Sequence, residues 1–367
     1  MLRSLGVGKK SLENRIQEEA RNMTEALASL EGKPSDLENM IASFVTNVIA
    51  AVVFGHRFTL DDDALHQLTK AANEVGPFLC SLWGQLYEAF PQLMSRLPGP
   101  HQKVFVQLEY VRNYALKEVR AHEESPSDAP QDFIDLYLDQ ISKTKGDTDN
   151  TYNEANLVQV VLDLFFASTE TTGVTLLWAL LYMVKYPDIQ EKVQKELADV
   201  LEPSDIIQSE HRKKLPYTDA VIHEIMRCSG VAPLGLPRQC VKDTIIQGFP
   251  LKKGTTVIYN LFSVLHDHKH WELPEVFNPS RFLDKEGNFV KNEAFIPFST
   301  GHRICLGEQL ARTELFIFFT NLLREFTFRL PEGVTKVNLD CTFGTILHPH
   351  PNKICAVPNC APASHSA

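Results

Sequence analysis

The chain has 367 residues, of which 44% are hydrophobic and 22% are charged, proportions typical of a globular protein. Acidic residues outnumber basic ones, 46 to 36, and no basic stripe collects phosphates, so composition excludes a nucleic-acid-binding protein. The seven cysteines form no CxxC pair, which excludes a zinc ribbon or disulfide scaffold and favours a reducing compartment or a cytosol-facing surface.

Helical periodicity dominates the first two thirds of the chain. The breaks between helices are a proline-punctuated loop at 91–100 and polar linkers at 123–131 and 142–153. The predicted helices lie at 11–30, 38–55, 65–90, 101–122, 153–185, from 187 onward, at 218–229 and at 308–323.

Strand-like segments appear only in the last third. They lie at 243–249, 255–260, 326–330 and 353–357. Short strands within a mostly helical chain predict a mainly α fold with small β-sheets. We expect one domain over 1–357, followed by a flexible C-terminal tail at 358–367.

The sequence shows no signal for membrane insertion. Residues 1–6 contain no apolar core of a signal peptide or anchor. The most apolar run, 160–184, is interrupted by Asp163, Glu170 and several hydroxyl side chains, which favours a buried functional helix over a membrane span.

The strongest chemical signal is the segment 298–307, which lies just before an apolar helix. Gly301 and Gly307 predict a tight loop that a flat ligand can approach closely. Cys305 would lie at the helix N-terminus, where the helix dipole and Arg303 favour a thiolate. A single cysteine is more often a small buried apolar side chain, but this surrounding suits a ligand of haem iron.

The pattern F-x-x-G-x-R-x-C-x-G resembles the haem-binding signature of the cytochrome P-450 family, the haem-thiolate monooxygenases. Its fixed positions are Phe298, Gly301, Arg303, Cys305 and Gly307. The resemblance implies the cytochrome P-450 fold, haem b as cofactor, Cys305 as the iron ligand and the other four as cofactor-binding residues.

Two further segments follow the family's order. Glu224 and Arg227 share one helix face at i,i+3 spacing, a pair that alone is worth only about 0.2–0.5 kcal/mol. Downstream, Arg281 lies in a segment that resembles the family's P-x-R-F. The resemblance implies a buried triad of Glu224, Arg227 and Arg281 in which each charge needs the others.

The segment 166–172 in the long helix resembles the family's oxygen-activation motif A-G-x-[DE]-T-T. The resemblance implies that Ala167 contacts the cofactor, Thr171 orients dioxygen and Glu170 feeds protons from solvent. Ser168 replaces the family's usual glycine, and its hydroxyl can bond back to the helix backbone.

Other positions are assigned by resemblance alone. Arg238, in a proline-rich turn, would pair with a haem propionate, as would Arg303 on the other side. The residues expected to line the substrate pocket are Phe166, Val231, Leu234 and Thr345.

Details at 6–11, 97–101 and 354–358 are similar to the animal microsomal family-two enzymes. That likeness implies oxidation of a small apolar substrate (fatty acid, steroid or xenobiotic) by O2. NADPH-cytochrome P-450 reductase would supply the electrons, with cytochrome b5 as a second donor. The expected location is the cytosolic face of the endoplasmic reticulum membrane.

Met1 of this chain corresponds to a position well inside the sequence pattern of the family. We therefore expect a chain without the anchor helix, the proline-rich hinge, the first helices and strands and the W-x-x-x-R propionate contact. Such a chain would be cytosolic unless its apolar segment at 78–90 contacts the membrane.

Three alternative functions share some of these sequence features. The same fold can rearrange hydroperoxides without external electrons, but the Glu170–Thr171 pair argues against it. A truncated product without catalytic activity is the non-enzymatic alternative. A zinc or cysteine-protease site at Cys305 is poorly supported, because no suitable ligand set or Cys–His pair accompanies it.

Overall fold

A computed structural model describes residues 10–127, 129–147 and 150–359. The family-two detail at 6–9 and most of the predicted tail, 360–367, lie outside the described residues. The helices are α1 (Lys10–Ala28), α2 (Glu38–Val53), α3 (Asp63–Cys80), α4 (Leu82–Ala89), α5 (Pro91–Met94), α6 (Pro100–Glu124), α7 (Phe133–Lys143), α8 (Glu154–Lys185), α9 (Pro187–Val200), α10 (Pro216–Ser229), α11 (Leu261–Leu265) and α12 (Glu308–Glu325).

The strands form antiparallel pairs. They are β1 (Arg238–Gln239) with β4 (Thr256–Val257), β2 (Thr244–Ile246) with β3 (Phe249–Leu251), β5 (Phe326–Arg329) with β8 (Cys355–Pro358), and β6 (Cys341–Phe343) with β7 (Leu347–Pro349). The predicted fold class, mainly α with small β-sheets, is confirmed.

Some predicted boundaries were wrong for local reasons. The helix predicted over 65–90 is broken at Ser81, whose hydroxyl accepts a hydrogen bond from the Gly84 N–H and so caps α4. The strand predicted at 243–249 is the first arm of a hairpin. Gln247 and Gly248 have φ of 49° and 86°, which makes the two-residue turn between β2 and β3.

Helix α8 runs through the core. Asn153 caps its start by accepting a hydrogen bond from the Asn156 N–H at 2.9 Å, and Pro187 begins the next helix directly after its end. By length and composition alone α8 could cross a membrane, since its most apolar stretch has a mean hydropathy of 1.3. More than half of that stretch is buried within the fold.

The end of the described chain is anchored. Pro358 belongs to β8, and the Asn359 side chain donates hydrogen bonds to the carbonyls of Leu323 and Arg324 at the end of α12. These two residues belong to the folded body and not to the predicted tail.

Candidate functional site

The Cys305 loop directly precedes α12, and Cys305 is an exposed residue. The Cys305 N–H donates to the Phe298 carbonyl at 3.0 Å, and Gly301 holds a φ of +76° that favours glycine. The Phe298 ring lies beneath the Arg312 guanidinium, 4.9 Å from its centroid, which fixes the start of the loop. Gly307 caps α12, and a Cβ there would lie 3.9 Å from the sulfur.

The expectation that local charge favours a Cys305 thiolate is not met by the protein alone. Neighbouring atoms desolvate the sulfur and raise the pKa of the Cys305 thiol, although the residue as a whole is exposed. Backbone N–H groups of Gly307 and Glu308 act in the opposite direction but do not outweigh burial. A coordinated metal ion deprotonates a thiol outright, so these donors suit a sulfur that carries charge only when ligated.

The face of this loop is open and cationic. Across the described ranges, no hydrogen bond or ion pair engages the exposed Arg303 guanidinium. A side chain added at Gly301 would meet no atom within 4 Å, and Leu306 is 83% exposed. A sulfur ligand, a free guanidinium and an unobstructed surface fit a large flat anionic group such as haem. Arg238 is less free, because it donates to the Tyr259 hydroxyl at 2.9 Å.

The structure brings Glu224, Arg227 and Arg281 together in the interior. The Arg227 guanidinium contacts both oxygens of Glu224 at 2.7 and 2.9 Å, and Arg281 Nε contacts Oε1 at 3.2 Å. Glu224 also accepts the Asn278 N–H at 2.8 Å. Arg227 donates in addition to the carbonyls of Leu265, Pro274 and Val276. The charges are therefore paired, as burial requires.

The 166–171 segment lies on α8. The Thr171 hydroxyl donates to the Ala167 carbonyl at 2.7 Å, and the Ser168 hydroxyl donates to the Leu164 carbonyl at 2.8 Å, so both bond back to the preceding turn. Ala167 is exposed, which leaves this turn open to a ligand.

Glu170 lies mostly buried against a histidine of the β6–β7 hairpin. Its side chain is only 10% exposed, and its Oε1 lies 2.8 Å from Nε2 of His348. Sequence reasoning missed His348, which is separated from Glu170 by 178 positions and lies on a strand too short to recognise. The only sequence signal was its place three residues after the expected substrate contact Thr345.

Two of the four expected pocket residues, Val231 and Thr345, lie at the β6–β7 hairpin. The Leu347 N–H donates to the Val231 carbonyl at 2.8 Å. A Cβ at Gly76 would meet Thr345 Oγ1 at 2.6 Å and Glu170 Oε1 at 2.7 Å, so α3, α8 and the hairpin meet closely there. Leu234 and Phe166 are half-buried and not brought into this cluster by any described contact; the Phe166 ring packs edge-on against Phe165.

Within 10–127, 129–147 and 150–359, no hydrogen bond, ion pair or ring contact links the Cys305 loop to the 166–171 segment. Direct contact between the two sets is therefore not part of the site, and any connection between them would run through a bound cofactor. A mainly helical body with an exposed cysteine just before an apolar helix, an arginine nearby in sequence that has no partner in the described part of the chain, and a hydroxyl and a carboxyl on a core helix is typical of a haem-thiolate protein.

Comparisons with known proteins agree. The family model for cytochrome P-450 matches residues 1–356. The chain is 46% identical to human cytochrome P-450 2J2 and 44% identical to mouse cytochrome P-450 2J5, in each case over 97% of this chain and 71% of the relative. It is 42% identical to mouse cytochrome P-450 2B9 over 92% of this chain and 69% of the relative. The chain belongs to the cytochrome P-450 family; it is a cytochrome P-450 monooxygenase whose cofactor is haem.

Proposed function

We propose that this protein inserts one atom of O2 into small apolar substrates such as fatty acids, steroids or xenobiotics. NADPH-cytochrome P-450 reductase would supply the electrons, with cytochrome b5 as a second donor. The observation that carries the proposal is the exposed Cys305 just before α12, two residues from Arg303, whose guanidinium has no hydrogen-bond or ion-pair partner among the described residues. Similarity to cytochrome P-450 2J2 supports this class of reaction.

Haem, when bound, supplies oxygen activation, which a thiolate ligand favours by donating electron density. Cys305 provides that ligand, and the Phe298 carbonyl and Gly301 turn hold its loop in place. Arg303 and Arg238 lie on separate elements, and each can pair with a carboxylate at the cofactor edge. The Glu224–Arg227–Arg281 triad fixes the neighbouring segments through its backbone contacts.

Thr171 and Glu170 manage protons in this proposal. The Thr171 hydroxyl, donating to the Ala167 carbonyl, leaves its oxygen lone pairs available to accept a proton-bearing group. Glu170 would pass protons towards Thr171, the next residue of the helix. Because both lie on one rigid helix, their relative position is kept.

Substrate would lie against the apolar wall that Phe166, Val231, Leu234 and Thr345 contribute. Few charged side chains belong to this set, which suits an apolar molecule better than an anionic one. We propose that the protein works as one domain, which extends beyond the predicted end at 357 to include Pro358 and Asn359.

We propose the cytosolic face of the endoplasmic reticulum membrane as its location. Large apolar side chains are exposed between the end of α3 and the first turns of α6; they are Leu79, Leu82, Phe90, Leu93, Leu97 and Val106. An apolar surface of this kind is typical of a membrane or protein contact.

The test is the absorption spectrum of the haem-loaded, dithionite-reduced protein with and without carbon monoxide. A strongly red-shifted Soret band supports thiolate ligation, and it should vanish in Cys305→Ala but persist in the control Cys341→Ala, which removes another exposed cysteine. Product formation that depends on reductase and NADPH supports the monooxygenase. Turnover of hydroperoxides without reductase would favour the rearranging class, and failure to retain haem would favour an inactive product.

A further inference from the structure

A carboxylate–histidine–carboxylate row lies between the surface and Glu170. His348, on β7, has Nε2 at 2.8 Å from Glu170 Oε1 on α8 and Nδ1 at 3.8 Å from Glu38 Oε1 at the start of α2. The first distance is a hydrogen bond, and the second is an ion-pair contact that a small movement or a water molecule would close.

Exposure falls along this row. The Glu38 side chain is 29% exposed, His348 14% and Glu170 10%. Glu38 is therefore the member of the row most accessible to solvent, and Glu170 is the least accessible. A small cavity of about 10 Å³ adjoins the row, and its polar lining is Glu38, Asn73, Thr169 and Glu170.

The position of His348 is fixed by its pairing with Thr342 in the β6–β7 hairpin and by two hydrogen bonds of the preceding residue, Leu347. The carbonyl of Leu347 accepts a hydrogen bond from the Trp178 indole at 2.9 Å, which ties β7 to α8. The Leu347 N–H donates to Val231. Gly76 leaves room for Glu170, because a side chain there would overlap the carboxylate. The row is thus built by four separate elements of the fold.

We propose that His348 is a positioning residue that holds Glu170 and relays protons to it from Glu38. This inference rests on the proposed proton-delivery role of Glu170. In one transfer, the imidazole gains a proton at Nδ1 from the Glu38 side and gives its Nε2 proton to the Glu170 carboxylate. The ring returns to the starting tautomer by turning about its Cβ–Cγ bond after Glu170 has taken the proton, and no oxidant or reductant is needed.

Other titratable groups near the row are few among the described residues. Burial, and to a lesser degree the charge of the neighbouring Asp36, raise the pKa of Glu38. A raised pKa brings the Glu38 carboxyl closer to neutral pH, where it can both take up and release protons. Cys80 lies on α3, and the pKa of its thiol is raised mainly by burial and secondly by the charge of Glu170.

The variants are His348→Gln, Glu38→Gln and Glu170→Gln, with His350→Gln as the matched control on the same segment. The holoenzyme is reconstituted with reductase, and product formed per NADPH, hydrogen peroxide released and the solvent isotope effect are measured. The relay predicts a several-fold loss of product per NADPH and a changed isotope effect for His348→Gln and Glu38→Gln, with none for His350→Gln. Unaltered Soret spectra show that each variant holds its cofactor.

A second readout needs no turnover. Thermal midpoints of wild type, His348→Gln, Glu170→Gln and the double variant form a cycle. The relay predicts that the thermal midpoint of the double variant falls no further than that of the less stable single variant, because both changes remove the same His348–Glu170 contact. Additive losses overturn the contact. If product per NADPH falls in Glu170→Gln but stays normal in His348→Gln, the relay is overturned and the role of Glu170 stands. If product per NADPH stays normal in Glu170→Gln, the role of Glu170 is overturned and the relay with it.

Discussion

Glu224 and Arg227 form a fully buried, two-pronged ion pair, with Arg227 Nε at 2.7 Å from Oε2 and Nη2 at 2.9 Å from Oε1. Arg281 approaches the same carboxylate from another segment at 3.2 Å. Since one carboxylate serves two guanidinium groups, Glu224 is the member whose loss leaves most charge without a partner.

We expect Glu224→Ala to lower the free energy of unfolding by about 3–5 kcal/mol, because two buried cations lose their counter-charge. Urea unfolding followed by circular dichroism measures the loss. The control is Asp199→Asn, which breaks an exposed pair with Lys195 and should cost less than about 0.5 kcal/mol. Equal losses in the two variants would show that the buried pairing adds nothing to stability.

Two helical glycines predict opposite effects of an added methyl group. At Gly76 a Cβ would come within 2.6 Å of Thr345 Oγ1, and alanine before Pro77 is disfavoured in a helix, so Gly76→Ala should cost about 1–3 kcal/mol. At Gly173 the nearest atom would be 3.7 Å away, on Ala42, and Gly173→Ala should stabilise by up to about 1 kcal/mol. Thermal melts that shift in the same direction would contradict this interpretation of the packing.

The contrast between Glu224 and His348 shows what a sequence can predict. Glu224 and Arg227 are three residues apart, so helical geometry alone places them on one face, as the structure has them. The start of α8 near Asn153 could be predicted for the same reason, because it depends only on residues adjacent in the sequence. His348 meets Glu170 only through tertiary packing, on a three-residue strand whose pairing leaves no periodic signal. Local patterns predict elements, whereas contacts between distant short strands depend on the assembled fold.

The exposed apolar surface predicts membrane binding. Replacing Leu82 and Phe90, which are 72% and 58% exposed, by serine should weaken binding to phosphatidylcholine vesicles by about tenfold or more, since each large apolar side chain is worth about 1.5–3 kcal/mol when buried. Vesicle flotation measures the bound fraction. Val241→Ser, at a residue 82% exposed on another part of the fold, is the control. Unchanged flotation of the double variant would exclude this surface as the contact.

His122 gives stability a dependence on pH. Its Nε2 lies 2.9 Å from Asp132 Oδ2, and this hydrogen bond is the main cause that raises the pKa of His122 to about 9, against the effect of burial. A raised pKa means that the contribution is complete below the unfolded value near 6.5 and is lost as pH rises through about 9. For a hydrogen bond to a charged group that contribution is about 1.5–3 kcal/mol.

We therefore expect His122→Gln to be less stable than wild type at pH 6.5 and to approach it at pH 9.5. Urea unfolding across that interval gives the difference at each pH. The exposed pair of His268 with Glu275 supplies the control, and His268→Gln should parallel the wild-type curve. A constant gap between His122→Gln and wild type would mean that the ion pair does not titrate in this interval.

Cysteine labelling tests how the protein presents Cys305. Cys305 and Cys341 are both exposed, whereas burial strongly raises the pKa of Cys228 and Cys355 is buried. A maleimide at pH 8 should therefore label Cys305 and Cys341 in the haem-free chain and leave Cys228 and Cys355 unlabelled. Loading with haem should protect Cys305 and leave Cys341 reactive, because ligation to iron occupies the sulfur lone pair that would otherwise attack the maleimide. Peptide mass spectrometry measures each site separately, and equal labelling of Cys305 with and without haem would mean that the cofactor is not held through this sulfur.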